Sequence, residues 1–187
     1  MRYWFTSWPG TDWTPEKGYN DLFAQQVHAI RKRFCLGKSE TLGIELGIGI
    51  RAYYDIPYPP NQNKVHERVL VSVRQFSWKG WEGRAENISP VFVLLMVIYL
   101  PSGTEIFKGI ITLHFPCNYP VGRPTIFVRV DSFKGGCVTY VRGESKEGYK
   151  LCVMNGRSDW DPTRDNVLRA IEVAIAWALT NYRQGYG

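Results

Sequence analysis

One cysteine stands where a thiol could do chemistry. Cys152 follows the extended-looking stretch 148–151 and precedes the polar turn 155–159, which leads toward a helix. Basic side chains at Lys150 and Arg157, together with the partial positive charge of a helix start, favour the thiolate and so favour a nucleophile. Free cysteines are also among the most often buried residues, so an inert apolar role for Cys152 is the open alternative.

The residues after this cysteine predict a long amphipathic helix. Asp161 is the expected cap of its first turn, and Pro162 is the expected first helical residue, where a missing N–H costs nothing. Apolar side chains then recur at the i, i+3, i+4 spacing of one buried stripe, at Val167, Leu168, Ile171, Ala174, Ile175, Ala178, Leu179 and Tyr182.

Ordered proline and aromatic motifs precede and follow the cysteine. A strand-like stretch ends in Phe115-Pro116, Tyr119-Pro120 follows, and Pro124 precedes the strand-like stretch 125–128. Trp160-Asp161-Pro162 begins eight residues after Cys152 (160 − 152). Over residues 91–182 this order resembles the ubiquitin-conjugating enzyme family, whose active cysteine lies in a Gly-x-x-Cys-Leu-like run with Trp-x-Pro eight residues later.

The resemblance implies an α+β, UBC-like fold and a transferase that carries a ubiquitin-like protein, or a related acyl group, as a thioester on Cys152. It further implies an activating enzyme and a target protein as partners, and no cofactor or metal. Backbone amides of 154–159 or the Asn155 side chain are the candidate oxyanion donors. Glu144, Asp159 and Asp161 are the candidates for deprotonating the incoming amine. Trp160 is expected to pack beneath the loop.

Two features depart from the family's usual pattern. Its His-Pro-Asn lies ten to eight residues before the cysteine, where this chain has Arg142-Gly143-Glu144, so the oxyanion asparagine is absent. The sequence ends at Gly187, whereas eukaryotic members carry further helices. Both features resemble the compact bacterial relatives of ubiquitin-like and antiphage signalling operons. That resemblance implies a role in antiviral defence and adds a cGAS-like nucleotidyltransferase to the expected targets.

A second function class stays open. On the same fold, the chain could be a catalytically inactive interaction domain that binds a partner protein, with Cys152 incidental. Native thiol reactivity separates these two hypotheses.

Length and composition predict one domain over residues 1–187. With 44% apolar residues the chain can bury a proper core. Its four cysteines include no Cys-x-x-Cys pair, and no secretory segment begins it, so the reducing cytoplasm is the expected compartment. The apolar run 91–100 is too short to cross a bilayer. Although the formal charge is +6, the basic residues are scattered along the chain, and a nucleic-acid partner is not expected.

The remaining elements complete an N-terminal helix, an antiparallel β-meander and a C-terminal helix after the cysteine loop. Residues 1–19 form an aromatic segment. A helix is predicted over 20–35, and its basic end is a candidate docking site for the activating enzyme: Arg31, Lys32 and Arg33. Strands are predicted over 42–56 and 65–76, and a hairpin over 91–99 and 105–115. The segment 77–90 between them is predicted to be an exposed loop, where Trp78 and Trp81 are partner-binding candidates. His28, His66 and His114 are predicted to be structural.

Overall fold

Two helices and nine strands make up the described part of the chain. The computed structural model describes residues 17–34, 36–38, 44–47, 52–57, 66–79, 91–116, 119–134, 141–151 and 160–186. Helix α1 is Lys17–Phe34 and helix α2 is Val167–Tyr186. The strands in chain order are β1 Leu36–Lys38, β2 Ile44–Gly47, β3 Ala52–Pro57, β4 His66–Lys79, β5 Val91–Tyr99, β6 Glu105–His114, β7 Thr125–Phe133, β8 Val141–Ser145 and β9 Gly148–Leu151.

The strands form one antiparallel sheet, which confirms the predicted α+β class. Its order is β1-β2-β4-β5-β6-β7-β9-β8, and β3 also pairs with β4. The predicted hairpin of β5 and β6 is confirmed, with Val91 opposite His114 and Ile98 opposite Phe107. Because β9 lies between β7 and β8, its last residue, Leu151, lies inside the sheet rather than at its outer edge.

Both helices pack on the same face of the sheet. A single buried cluster joins Val27 and Ile30 of α1, Ile171 and Trp177 of α2, and alternate side chains of β4 to β7 such as Leu94. The period of two along each strand produces this one-sided core, because residues i and i+2 point to the same face. Among the described residues, no helix packs on the opposite face, which is here called the outer face.

Two predicted boundaries are corrected by the structure. Helix α1 begins at Lys17 rather than Asn20. The single strand predicted over 42–56 is two strands, β2 and β3, that pair with successive parts of β4. From Leu46 to Ala52 the chain advances six residues (52 − 46), whereas their partners on β4, Gln75 and Val71, are four residues apart (75 − 71). Strands β2 and β3 therefore cannot pair with β4 in one continuous register.

The start of the predicted loop 77–90 is also wrong. Strand β4 continues to Lys79, and Ser77 and Trp78 pair with Val93 and Phe92 of β5. The long apolar run of β5 provides a partner backbone for these residues, and that pairing outweighs the local loop signal of Trp and Gly.

Candidate functional site

Strand β9 brings the chain to the predicted nucleophile. Its last residue, Leu151, is 8% exposed and belongs to the core, and the preceding Lys150 lies opposite Phe127 of β7. Cys152, Asn155 and Asp159 lie outside the described residues. The two residues that flank the segment 152–159, Leu151 and Trp160, are described, and both are buried.

Trp160, the first described residue after that segment, is buried; its predicted packing beneath the loop lies outside the described residues. Its side chain is 8% exposed, and its indole Nε1 donates a hydrogen bond of 2.8 Å to the carbonyl oxygen of Pro120. The ring also contacts Tyr119, with ring centroids 6.1 Å apart. The Tyr-Pro and Trp-x-Pro motifs therefore meet in space, although forty residues separate them in sequence.

A buried glutamine of α1 connects both helices to this corner. Gln26 is 5% exposed, and its Oε1 accepts 2.7 Å from the Tyr119 hydroxyl and 3.0 Å from the backbone N–H of Val167. The Val167 amide belongs to the first turn of α2, where backbone donors lack intrahelical partners. Gln26 thus satisfies a buried hydroxyl and a helix amide with one oxygen, and it holds α1, the Tyr119 loop and α2 together.

The predicted helix start at Asp161 and Pro162 is wrong. Helix α2 begins at Val167, and Asn166 caps it: Asn166 Oδ1 accepts 2.9 Å from the N–H of Leu168. Asp161 instead caps a separate turn, where its Oδ1 accepts from the N–H and the hydroxyl of Thr163 at 2.9 and 2.6 Å. The side-chain hydrogen bonds of Asp161 form a turn that competes with the first turn of a helix. The helix therefore begins later than Asp161 and Pro162 indicate.

Charges in this turn favour ionised carboxylates. Hydrogen bonds from the side chain and backbone of Thr163 hold the pKa of Asp161 below its ordinary value. Burial acts to raise the pKa of Asp165, but hydrogen bonds from Arg164 and from the N–H of Asp161, with the charge of Arg164, outweigh it and lower that pKa. Asp161 is therefore a weak base engaged with Thr163, which argues against its predicted role toward an incoming amine.

The hairpin of β8 and β9 places the Arg142-Gly143-Glu144 positions beside the strand that leads to Cys152. Val141 lies opposite Leu151 and Glu144 opposite Tyr149, with a register irregularity between these pairs. Gly143 lies in that irregularity with φ of 101°. Only the backbone of Glu144 is described, so its predicted role as a base stays a prediction.

The turn of this hairpin is tied to the outer face of the sheet. Glu147 Oε2 lies 2.7 Å from His114 Nε2, and the Arg129 guanidinium donates to the carbonyl oxygen of Lys146. The His114 ring meets Phe127 edge-on, with centroids 5.2 Å apart. These contacts anchor the hairpin that leads to the cysteine, and the structural role predicted for His114 is consistent with them.

The predicted docking residues fall in different places. Arg31, Lys32 and Arg33 form the last turn of α1, as predicted, with Lys32 exposed and the two arginines half-buried. Trp78 lies on β4, where only its backbone is described, and Trp81 lies outside the described residues. The partner-binding roles predicted for the basic helix end and for the two tryptophans therefore stay predictions.

Sequence patterns did not indicate Gln26 or Asn166. Gln26 lies on the buried side of α1 near Val27 and Ile30, and a polar residue at such a position is the one signal that could have identified it. Asn166 precedes the apolar stripe of α2 directly, which is the ordinary N-cap pattern, but the Asp-Pro pair upstream gave a competing start signal.

Searches of the described part of the chain for two other site types are negative. No group of three or more His, Cys, Asp or Glu side chains there is placed to hold a metal ion. Neither of the two helices has the length and apolar character required of a membrane span.

Comparisons of the chain with protein-family models, with curated proteins and with solved structures find no match.

Proposed function

We propose that this protein is a ubiquitin-conjugating-enzyme-like transferase with a UBC-like fold, which carries a ubiquitin-like protein or related acyl group as a thioester on Cys152. The observation that supports this proposal most is the hydrogen bond between Trp160 and the Pro120 carbonyl. It joins the two motifs of the resemblance at the point where the segment carrying Cys152 returns to the core.

The chemistry needs a thiol that can attack and later leave. A thiolate does both: it attacks the activated carbonyl of the donor C-terminus, the donor's leaving group departs, and the resulting thioester passes the acyl group to an amine. The buried side chains of Leu151 and Trp160 hold the two ends of the short segment that contains the thiol. In this proposal, fixing the two flanking residues helps to position the thiol for reaction.

The remaining catalytic roles rest on the same segment. Asn155 or backbone amides of 154–159 would stabilise the oxyanion, and Asp159 or Glu144 would accept the amine's proton. Asp161 is disfavoured as the base because its carboxylate already accepts hydrogen bonds from Thr163. The proposed partners are an activating enzyme and a target protein; on the bacterial resemblance, that target is a cGAS-like nucleotidyltransferase and the role is antiviral defence.

The test is adduct formation in an extract of the source cells supplemented with ATP. Tagged wild-type protein should gain a reductant-sensitive adduct, and Cys152→Ala should lose it. Cys152→Ser should form the same adduct through an ester bond. Reductant should not cleave this bond, and alkali should. Matched Ala substitutions at Cys35, Cys117 and Cys137 should leave the adduct in place.

Native maleimide labelling supplies the second measurement. Cys152 should react before the other three cysteines, as identified by peptide mass spectrometry. Attachment at another cysteine would refute the site. A folded protein whose Cys152 is neither labelled nor loaded would instead support the interaction-domain alternative.

A further inference from the structure

Basic residues that are scattered in sequence meet on the outer face of the sheet. Arg74 of β4, Lys108 of β6, Arg129 of β7 and Lys150 of β9 are all exposed. Strand pairing brings them together: Arg129 lies opposite Ile110, two residues from Lys108, and Lys150 lies opposite Phe127, two residues from Arg129. These four side chains are here called the basic line.

The register places these cations at unequal spacings. Residues related by one strand and two positions are diagonal neighbours, about 7–8 Å apart in a sheet. Arg129 and Lys150 are related by this step, whereas the register shift between Lys108 and Gly109 places Lys108 opposite Ser132, three residues from Arg129. Arg74 lies off this diagonal, on the far side of β5, at the register shift between Val73 and Gln75.

Carboxylates do not neutralise the basic line within the described structure. Arg74 donates 2.9 Å to the Tyr99 hydroxyl, and Arg129 donates to the backbone carbonyl of Lys146. Lys108 and Lys150 form no ion pair with any described residue, and the nearby Glu147 is engaged by His114. Exposed cations without anionic partners attract an external polyanion.

An apolar strip runs beside the basic line. Half-buried side chains of Val93, Leu95, Ile110 and Phe127 lie on neighbouring strands of the same face. Phe127 is a flat aromatic ring next to Lys150 in the register. A duplex, whose bases are paired and stacked, would use the cations alone, whereas unpaired bases have π-faces that stack on such a ring.

We propose that the outer face binds single-stranded nucleic acid, with phosphates on the basic line and a base on Phe127. The charge complementarity between these exposed cations and a polyanion, together with the adjoining Phe127 ring, carries this assignment. It does not depend on the function proposed for Cys152. RNA and DNA share this chemistry, and separate probes distinguish them.

The experiment is fluorescence anisotropy with the full chain and labelled oligouridine, oligothymidine and a duplex of equal length. Single strands should bind more tightly than the duplex. With about four phosphate contacts on a single strand, log K should fall against log salt with a slope of about −3. Each of Lys108→Gln and Lys150→Gln should reduce that slope by about 0.7.

Phe127→Leu isolates the stacking contribution, because it removes the ring and keeps an apolar side chain. Loss of one stacked base should weaken binding about fivefold or more, with the salt slope unchanged. Arg164→Gln, at an exposed residue in the turn before α2 and away from the sheet's outer face, is the control of equal charge change and should bind as the wild type does. Melting curves confirm that each variant is folded.

Three results would overturn the proposal: equal affinity for duplex and single strand, equal affinity for polyglutamate, or a Phe127→Leu variant that binds normally. Either of the first two results would show that the outer face is a cationic surface that binds polyanions without preferring single-stranded nucleic acid. Binding to vesicles of anionic phospholipid without binding to oligonucleotides would assign the face to a membrane surface instead.

Discussion

The indole of Trp160 donates its N–H to the carbonyl oxygen of Pro120 at 2.8 Å, and the same ring rests against Tyr119. This contact ties the loop after β6 to the residue at which the cysteine segment rejoins the fold. Since Tyr119 also donates to Gln26, the position of that segment's end depends on helix α1.

Trp160→Ala should destabilise the protein by about 3–5 kcal/mol, because it removes a large buried ring and leaves a cavity. Trp160→Phe should cost less, since it keeps most of the packing and chiefly orphans the Pro120 carbonyl, at about 1–3 kcal/mol. Urea unfolding measures both values. The rate at which maleimide labels Cys152 in the native protein should change in parallel with these losses of stability. Wild-type stability in Trp160→Ala would contradict the buried contact.

Gln26→Leu should destabilise the protein by about 1–3 kcal/mol for each donor that loses this acceptor, namely the Tyr119 hydroxyl and the Val167 N–H. Tyr119→Phe removes one of those donors and should cost less. In the double variant the orphaned hydroxyl is gone, so the two costs should be less than additive. A double-mutant cycle by chemical denaturation measures the coupling, and strict additivity would show that the pair does not interact.

Asp165 should make stability depend on pH in the acid range. Its pKa is lower in the folded protein than in the unfolded chain, so its contribution is fully present above the unfolded pKa of about 3.9. That contribution is lost as the pH falls through the folded pKa. Between about pH 6 and pH 3, wild type should therefore lose more stability than Asp165→Asn does. Urea midpoints at the two pH values check this, and parallel losses in both proteins would assign the acid sensitivity elsewhere.

Gly148 and Gly143 form a matched pair for testing how closely β9 approaches β7. Both have φ of 101°, a conformation that costs an L-residue energy. A Cβ at Gly148 would collide with the Val128 backbone, whereas a Cβ at Gly143 would meet nothing within 4 Å. Gly148→Ala should therefore be clearly more destabilising than Gly143→Ala, as measured by thermal melting. Equal melting temperatures would mean that β9 can move away from β7 at little cost.

Local patterns in the sequence were sufficient for the main elements. The 3.6-residue stripes of α1 and α2 and the apolar runs of β5 and β6 predicted these elements nearly in place, because burying one face imposes a period on the residues themselves. The Trp-x-Pro motif likewise predicted a buried Trp160. Its spacing from Cys152 suggested the site, and the function assigned to that site rests on the family resemblance.

Contacts between distant residues were decided only by the tertiary structure. The partners of Gln26 lie 93 and 141 residues away, and nothing in the local sequence around α1 specifies them. Asp161 and Asn166 are both favourable N-cap residues, and local propensity could not show which of them caps α2. The basic line follows from strand register alone: Lys108, Arg129 and Lys150 look scattered along the chain, and become neighbours because β7 pairs with both β6 and β9.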